Sequence, residues 1–237
     1  MVTRKEKNIA WLKATRPQFL FAYIVLGIGG IAIGKAQFKD LPSIEWLLYS
    51  FAVILLAAIG IHFRDEAADW ISGFDKEHGG VGVIRDGILE ASPLQNWGRA
   101  LDIVAIGLAL VQTWFTPILL VAVIPSIIII VGSNYITERI PLGHEVTPAL
   151  AFMLTLLWTY LGQGWQLTVG TALFAAFMFV LVFAIVPYQD VGDYEADKKT
   201  GKKTLTVKLG IDHVGLFSIF IALLALLVLF VAINYMI

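Results

Sequence analysis

Two clusters of aspartate carry the chemistry this sequence can do. The first runs Asp65-Glu66-Ala67-Ala68-Asp69 and on to Asp75; the second runs Asp190-Val191-Gly192-Asp193-Tyr194-Glu195-Ala196-Asp197. Each follows a long apolar segment. Carboxylates gathered at the edge of a membrane repel one another and resist dehydration, so they call for a cation. Mg²⁺ is a hard ion that takes carboxylate oxygens and bridges them to substrate phosphates. The pattern therefore points to Mg²⁺-assisted chemistry on a phosphate carried by a lipid. Asp65 and Asp69 stand four apart, and Asp190, Asp193 and Asp197 stand at i, i+3 and i+7, so helical phasing puts each set on one face. For a single cluster, solvated polar caps at helix ends explain the residues as well; two clusters on one side of the membrane do not fit that explanation easily.

The elements that hold these groups follow from composition. Of 237 residues, 58% are hydrophobic and 15% charged, against about a quarter charged in an ordinary soluble domain. Mean hydropathy is +0.80. The fold class expected is an all-α polytopic membrane bundle forming a single domain over residues 1–237. A spanning helix needs roughly 20 apolar residues, and seven stretches qualify: 18–36, 45–63, 97–114, 116–133, 146–163, 168–188 and 213–236. Short linkers around Thr113–Pro117 and Gly162–Gln166 make two of the connections tight hairpins. The sequence has no cysteine, which excludes disulfides, thiolate metal sites and a cysteine nucleophile. The first apolar segment is read as retained rather than cleaved, because no small-residue cleavage site follows it.

Charge placement sets the orientation. Fifteen Lys and Arg fall on the side holding the N-terminus, the 64–99 loop, Arg139 and the 189–212 loop; only Lys35 and Lys39 fall on the other. The positive-inside rule then places the N-terminus and both aspartate clusters in the cytoplasm. The stretch 76–93 is too polar and glycine-rich to span. Its glycines and Arg85 could approach an anion, although a flexible connector explains them almost as well. Lys198 and Lys202, beside the second cluster, could bind phosphate or anionic lipid headgroups. His62 lies one turn before Asp65, where capping or packing is the ordinary role; His144 and His213 read as loop or interfacial residues. The tryptophans sit mostly near helix ends, as membrane anchors do.

Several of these segments resemble the UbiA superfamily of intramembrane prenyltransferases. Asp69-Trp70-Ile71-Ser72-Gly73-Phe74-Asp75, followed by Gly79-Gly80-Val81-Gly82-Val83-Ile84 and Ser92-Pro93, is similar to the first signature, most of all in the dihydroxynaphthoate polyprenyltransferase branch. Asp193 through Gly210 resembles the second signature, and Tyr135-Ile136-Thr137-Glu138-Arg139 has the Tyr-x-x-x-Lys/Arg spacing of some members. The resemblance covers the chain from about Arg16-Pro17 to Gly210. It implies that Asp69, Asp193 and Asp197 hold Mg²⁺ and diphosphate, with Asp65, Asp75 and Asp190 as further metal ligands. It also implies that Arg139 binds diphosphate, with Tyr135 near the reacting centre.

The activity implied is transfer of a polyprenyl group from an allylic prenyl diphosphate to an aromatic acceptor of the menaquinone or ubiquinone precursor type. Other acceptors, such as geranylgeranylglyceryl phosphate of archaeal ether lipids, stay open. So does a homo-oligomer; membrane lipids surround the chain, and no nucleic-acid partner is expected. Two departures stand out. The family usually has Asn and Asp where this chain has Asp65 and Glu66, and it usually builds nine spans, three of them after the second signature, where this chain has one. The expectation is thus a C-terminally shortened domain: a fragment, a reduced form, or an inactive or partner-dependent membrane subunit.

Overall fold

A computed structural model describes residues 2–73 and 80–236 and is helical throughout its regular structure. Ten helices follow in order: α1 (Arg4–Ala14), α2 (Pro17–Phe38), α3 (Ile44–Ser72), α4 (Ala91–Phe115), α5 (Leu120–Arg139), α6 (Gly143–Leu161), α7 (Val169–Gln189), α8 (Tyr194–Thr200), α9 (Leu205–Leu209) and α10 (Ile211–Met236). Every one of the seven expected spans is a helix. Six of them, carried by α2, α3, α4, α5, α7 and α10, are long and apolar enough to cross a membrane by length and composition. The seventh, α6, falls short because His144 and Glu145 occupy its first turn. It is also the most internal helix. It packs on α2, α5 and α7 and buries Tyr160, Leu156 and Leu161 completely or nearly so.

Local sequence explains the boundaries. Thr3 and Glu6 form a reciprocal capping box that starts α1: the Glu6 amide donates to Thr3 Oγ1 at 3.2 Å, and the Thr3 amide donates to Glu6 Oε2 at 2.7 Å. Pro17 takes the first position of α2, where its missing N–H costs nothing. Gly73 at φ 92° ends α3 in the left-handed cap conformation. On α2 the buried residues Tyr23, Gly27, Gly30 and Gly34 form a single stripe. Small residues there let α2 approach α6 closely, as in other membrane helix pairs. A Cβ added to Gly30 would lie 2.4 Å from the Leu156 carbonyl oxygen, so the approach depends on glycine. Thr159 Oγ1 closes the same crossing by donating to the Gly27 carbonyl at 2.9 Å.

The end of the bundle opposite the aspartates is tied by polar side chains. Trp158 Nε1 donates to Gln112 Oε1 at 3.0 Å, and Gln112 Nε2 donates in turn to Ser50 Oγ at 2.8 Å, joining α6, α4 and α3. At the aspartate end, α3 extends well past the apolar segment expected at 45–63 and carries Asp65 and Asp69 on its final turns. Arg64 fixes that extension. Its guanidinium pairs with Asp102 of α4, donates to the Ile130 carbonyl and reaches Ser133 Oγ at 3.3 Å on α5. Asp102 is 6% exposed, so its charge depends on this partner.

The described part of the glycine-rich stretch after α3 forms no spanning helix. Residues 80–90 form consecutive turns whose Val83, Ile84 and Leu89 pack with Ala10, Ala14, Phe63 and Leu94 into a second apolar cluster. Trp11 of α1 meets Phe63 edge-on at 5.3 Å in the same cluster.

Replacing Arg64 by Met leaves Asp102 buried without its counter-ion, a loss of about 3–5 kcal/mol in buried pairs. Thermal unfolding in detergent is expected at a clearly lower temperature for Arg64→Met. The double variant Arg64→Met, Asp102→Leu should recover part of the difference.

Candidate active site

The aspartate clusters meet across one cavity. Asp65 and Asp69 reach it from α3. Asp190 and Asp193 come from a 3₁₀ turn that ends α7, and Asp197 from α8. The turn and α8 together keep all three aspartates of the second cluster on the cavity wall, as their spacing predicts. The cavity has a volume of about 350 Å³, within the range of small-molecule sites. Five carboxylates border it, with Arg16 and Lys202 as the cationic side chains on the same wall. That surplus of negative charge favours a multivalent cation.

The second cluster is braced from two sides. His144 Nε2, on the first turn of α6, lies 3.3 Å from Asp190 Oδ1. Lys202 Nζ lies 3.8 Å from Asp197 Oδ1, and the Lys202 amide donates to the Asp197 carbonyl at 2.9 Å. Farther along, the fully buried Glu145 accepts a hydrogen bond from the Leu205 amide, and Thr206 Oγ1 donates to the Pro187 carbonyl. The segment after α8 is therefore pinned back onto α6 and α7.

The first cluster is braced by Glu66. Only 3% of its side chain is exposed; it accepts from the Val81 amide at 3.1 Å and faces Arg16 Nη2 at 3.7 Å. Glu66 thus binds residues on both sides of α3 in sequence, and it serves the scaffold rather than the cavity wall. Arg16 itself takes a left-handed conformation, φ 51°, directly before Pro17.

Not every expected site residue reaches the cavity. Tyr135 is 68% exposed and points off the cavity wall, which α5 supplies instead through Asn134 and Thr137. The reason is helical phase: positions three apart share a face, and the residue between them does not. Arg85 does not line the cavity either; its Nε lies 3.5 Å from Asp86 Oδ1. Among the described residues of that loop, Gly80 is the one on the wall. Lys198 turns outward, its Nζ 5.5 Å from the centroid of the Tyr194 ring, and Lys202 is the lysine of the group that lines the cavity. Asp75 and the side chain of Arg139 lie outside the described residues.

Three wall residues were assigned other roles from sequence. Arg16 counted only as a topological charge, His62 as a packing residue and His144 as an interfacial one. The Arg-Pro junction at a helix start was the local signal available for Arg16, and the one-turn spacing before Asp65 was that for His62; His144 carried none. Among the described residues, no three His, Asp or Glu side chains converge into a ready-made metal site.

Below the polar cavity lies an apolar pocket between α2, α3, α4, α5 and α6. The two share Tyr23, Ile61, Ile129 and Ala151 as lining residues. Tyr23 and Phe152 stand at this junction with ring centroids 5.1 Å apart. A ligand with a charged head and an apolar tail fits such a layout: acidic and basic groups at the membrane edge, hydrocarbon surfaces beneath.

Fold and cavity together define a multi-pass helical membrane protein with an acidic site at one end of its bundle. The UbiA prenyltransferase family matches over residues 86–237, and the chain belongs to that family. A solved UbiA homolog from Archaeoglobus fulgidus bound to DMAPP and Mg²⁺ has a similar fold. It gives a TM-score of 0.65 at 15% identity and covers 95% of this chain and 85% of that chain. The structure of a UbiA homolog from Archaeoglobus fulgidus bound to GPP and Mg²⁺ gives 0.65 at 14% identity, covering 96% and 86% respectively. Comparison with curated proteins gave no match.

Glu145→Leu removes the acceptor of the Leu205 amide and should free the segment after α8. A hydrogen bond to a charged group contributes about 1.5–3 kcal/mol. Limited trypsin digestion at Lys202 and Lys203 is therefore expected to run roughly tenfold or more faster in this variant, on the scale where 1.4 kcal/mol is a factor of ten.

Proposed function

We propose that the chain is a Mg²⁺-dependent intramembrane prenyltransferase. In this reading it moves a polyprenyl group from an allylic prenyl diphosphate to an aromatic acceptor of the naphthoquinone-precursor type. The observation that carries the reading is the junction of the five-aspartate cavity with the apolar pocket beneath it. The solved relatives with prenyl diphosphates and Mg²⁺ support it.

Asp69, Asp193 and Asp197 would hold Mg²⁺ against the diphosphate, with Asp65 and Asp190 as further oxygen ligands. The ion would offset charge on the departing diphosphate. Lys202 and Arg16 would share that charge from the protein side. Asp75 and Arg139 stay in the reading, as a metal ligand and a diphosphate ligand. Tyr135, Arg85 and Lys198 have no part in it, because none of them borders the cavity.

In the reaction the allylic carbon–oxygen bond breaks and diphosphate leaves with the electron pair. A carbon of the acceptor then bonds to the allylic carbon, and the acceptor loses a proton. The Tyr23 and Phe152 rings at the junction would face the developing allylic cation, which aromatic faces stabilise. The membrane-embedded site would limit quenching by water. The charge asymmetry supports a cytoplasmic site and N-terminus in this reading.

The test is prenyl transfer by the purified chain in lipid, with labelled geranylgeranyl diphosphate. Dihydroxynaphthoate, hydroxybenzoate and geranylgeranylglyceryl phosphate would be offered in turn, with and without Mg²⁺. Product is expected with dihydroxynaphthoate, only when Mg²⁺ is present, and lower by about a hundredfold or more in Asp69→Asn and Asp197→Asn. Product with the glyceryl phosphate alone would reassign the acceptor. Diphosphate binding without product from any acceptor would favour a partner-dependent subunit.

A further inference from the structure

Helix α1 carries charge and apolar surface that the acidic cavity does not use. Its small residues Ala10 and Ala14 are buried in the second apolar cluster, with Trp11 packed beside them. Lys5, Ile9, Leu12 and Lys13 stand at i, i+4, i+7 and i+8, so they share the face turned away from that cluster. Ile9 is 44% and Leu12 61% exposed. An aliphatic pair is out of place on a water-facing surface, and here it lies between two lysines. Arg4 and Lys7 are exposed as well. Among the described residues none of these four cations pairs with a carboxylate. Glu6, the one acid of α1, is engaged by the Thr3 amide at 2.7 Å and the Thr3 hydroxyl at 2.8 Å.

Contacts fix the depth of this helix. Trp11 packs edge-on against Phe63, the last apolar residue of α3 before Arg64. Thr15 and Arg16 then lead directly into the spanning helix α2. α1 therefore lies at the level where two spans leave the hydrocarbon, which is the headgroup layer. At that depth, aliphatic groups can enter the acyl boundary while lysine stems reach up to lipid phosphates. We infer that α1 is a binding element for anionic lipid, seated through Ile9 and Leu12 and held by Lys5 and Lys13, with Arg4 and Lys7 adding to the attraction. The general excess of Lys and Arg on this side of the membrane accounts for which side these cations occupy. It does not account for their sharing one helix face with Ile9 and Leu12. The inference is independent of the prenyl-transfer reading.

The chain has no cysteine, so a single introduced cysteine can report its position without background. Nitroxide labels at Ile9→Cys and Leu12→Cys are read in nanodiscs by collision with two probes: oxygen, which concentrates in the bilayer, and a water-soluble nickel chelate. Asp86→Cys, in the turns after α3 with a side chain 57% exposed, gives the water reference. Leu223→Cys, 60% exposed on α10, gives the lipid reference. The discs contain phosphatidylcholine alone or an equal mixture with phosphatidylglycerol.

In the mixed discs both α1 labels are expected to match the Leu223 reference, and in the neutral discs to move to the Asp86 reference. One cation beside an anionic surface contributes about a factor of five in binding. Lys5→Gln together with Lys13→Gln should therefore lower the ratio of seated to lifted helix by about twenty-five-fold in the mixed discs. A melting temperature shows whether that double variant folds; the comparison of the two lipids, at unaltered protein charge, stands without it. Water-like labels in both discs overturn the inference. Lipid-like labels that respond neither to lipid charge nor to the lysine substitutions overturn it too, because apolar insertion alone would then hold the helix. Labels shielded from both probes, with dipolar broadening between copies, would show a second copy of the chain on this face and likewise overturn it.

Discussion

A half-buried arginine holds this bundle in the geometry its acidic site needs. Arg64 sits where α3, α4 and α5 converge, paired with Asp102 and bonded to the Ile130 carbonyl. A guanidinium can serve two helices at once because its donors are fixed in a plane and point in several directions. The next residue is Asp65, and one turn on is Asp69. The direction in which these carboxylates project is therefore set by an ion pair that never touches the cavity. Gly60 and Gly98 make the arrangement possible: a Cβ on Gly60 would fall 2.3 Å from Asp102 Oδ1, and one on Gly98 would fall 2.8 Å from the Gly60 carbonyl.

The opposite wall obeys a different constraint. Asp190, Asp193 and Asp197 lie on a short 3₁₀ turn and a seven-residue helix, elements too short to be stable alone. Their geometry is borrowed from α6 through His144 and Glu145. This accounts for the character of α6. A helix that supplies buried polar groups to a neighbouring site has to lie inside the bundle, and the same groups keep it from being apolar enough to count as a membrane span.

Much of this was legible in the sequence. Apolar length located the seven helices, and the count of Lys and Arg put the aspartates on one side. The i, i+3 and i+4 spacings predicted which carboxylates share a face. These signals are local or additive, so a single sequence contains them. The roles of Arg16, His62 and His144 are neither. His144 is defined by Asp190, 46 residues away, and His62 by its place on the cavity wall, which only packing reveals. Tyr135 shows the converse error: a spacing pattern names a residue, but the rotation of α5 decides which of its neighbours meets the cavity, and that rotation is a tertiary property. The glycine-rich stretch illustrates a third case. Its glycines allow the tight turns at Gly82 and Gly87, while its buried Val83 and Ile84 give it a packing role that composition alone did not separate from anion binding.

The two walls of the cavity also come from distant parts of the chain, with Arg16, α2 and α3 on one side and the segment after α7 on the other. Glu66 joins Arg16, just before α2, to Val81, shortly after α3, whereas the second cluster is brought in by α6 and α7 packing on the rest. For a chain closing a loop of about 120 residues, the entropic cost grows slowly with length but is never small. Carboxylates that repel one another cannot meet that cost. Docking of apolar helices can, and it is complete only when the last third of the polypeptide is in place. During synthesis the α3–α4 pair can dock early, whereas α2 has to wait for α6, its main packing partner. The concentrated negative charge arises last, at a moment when the surrounding bundle is already able to hold it.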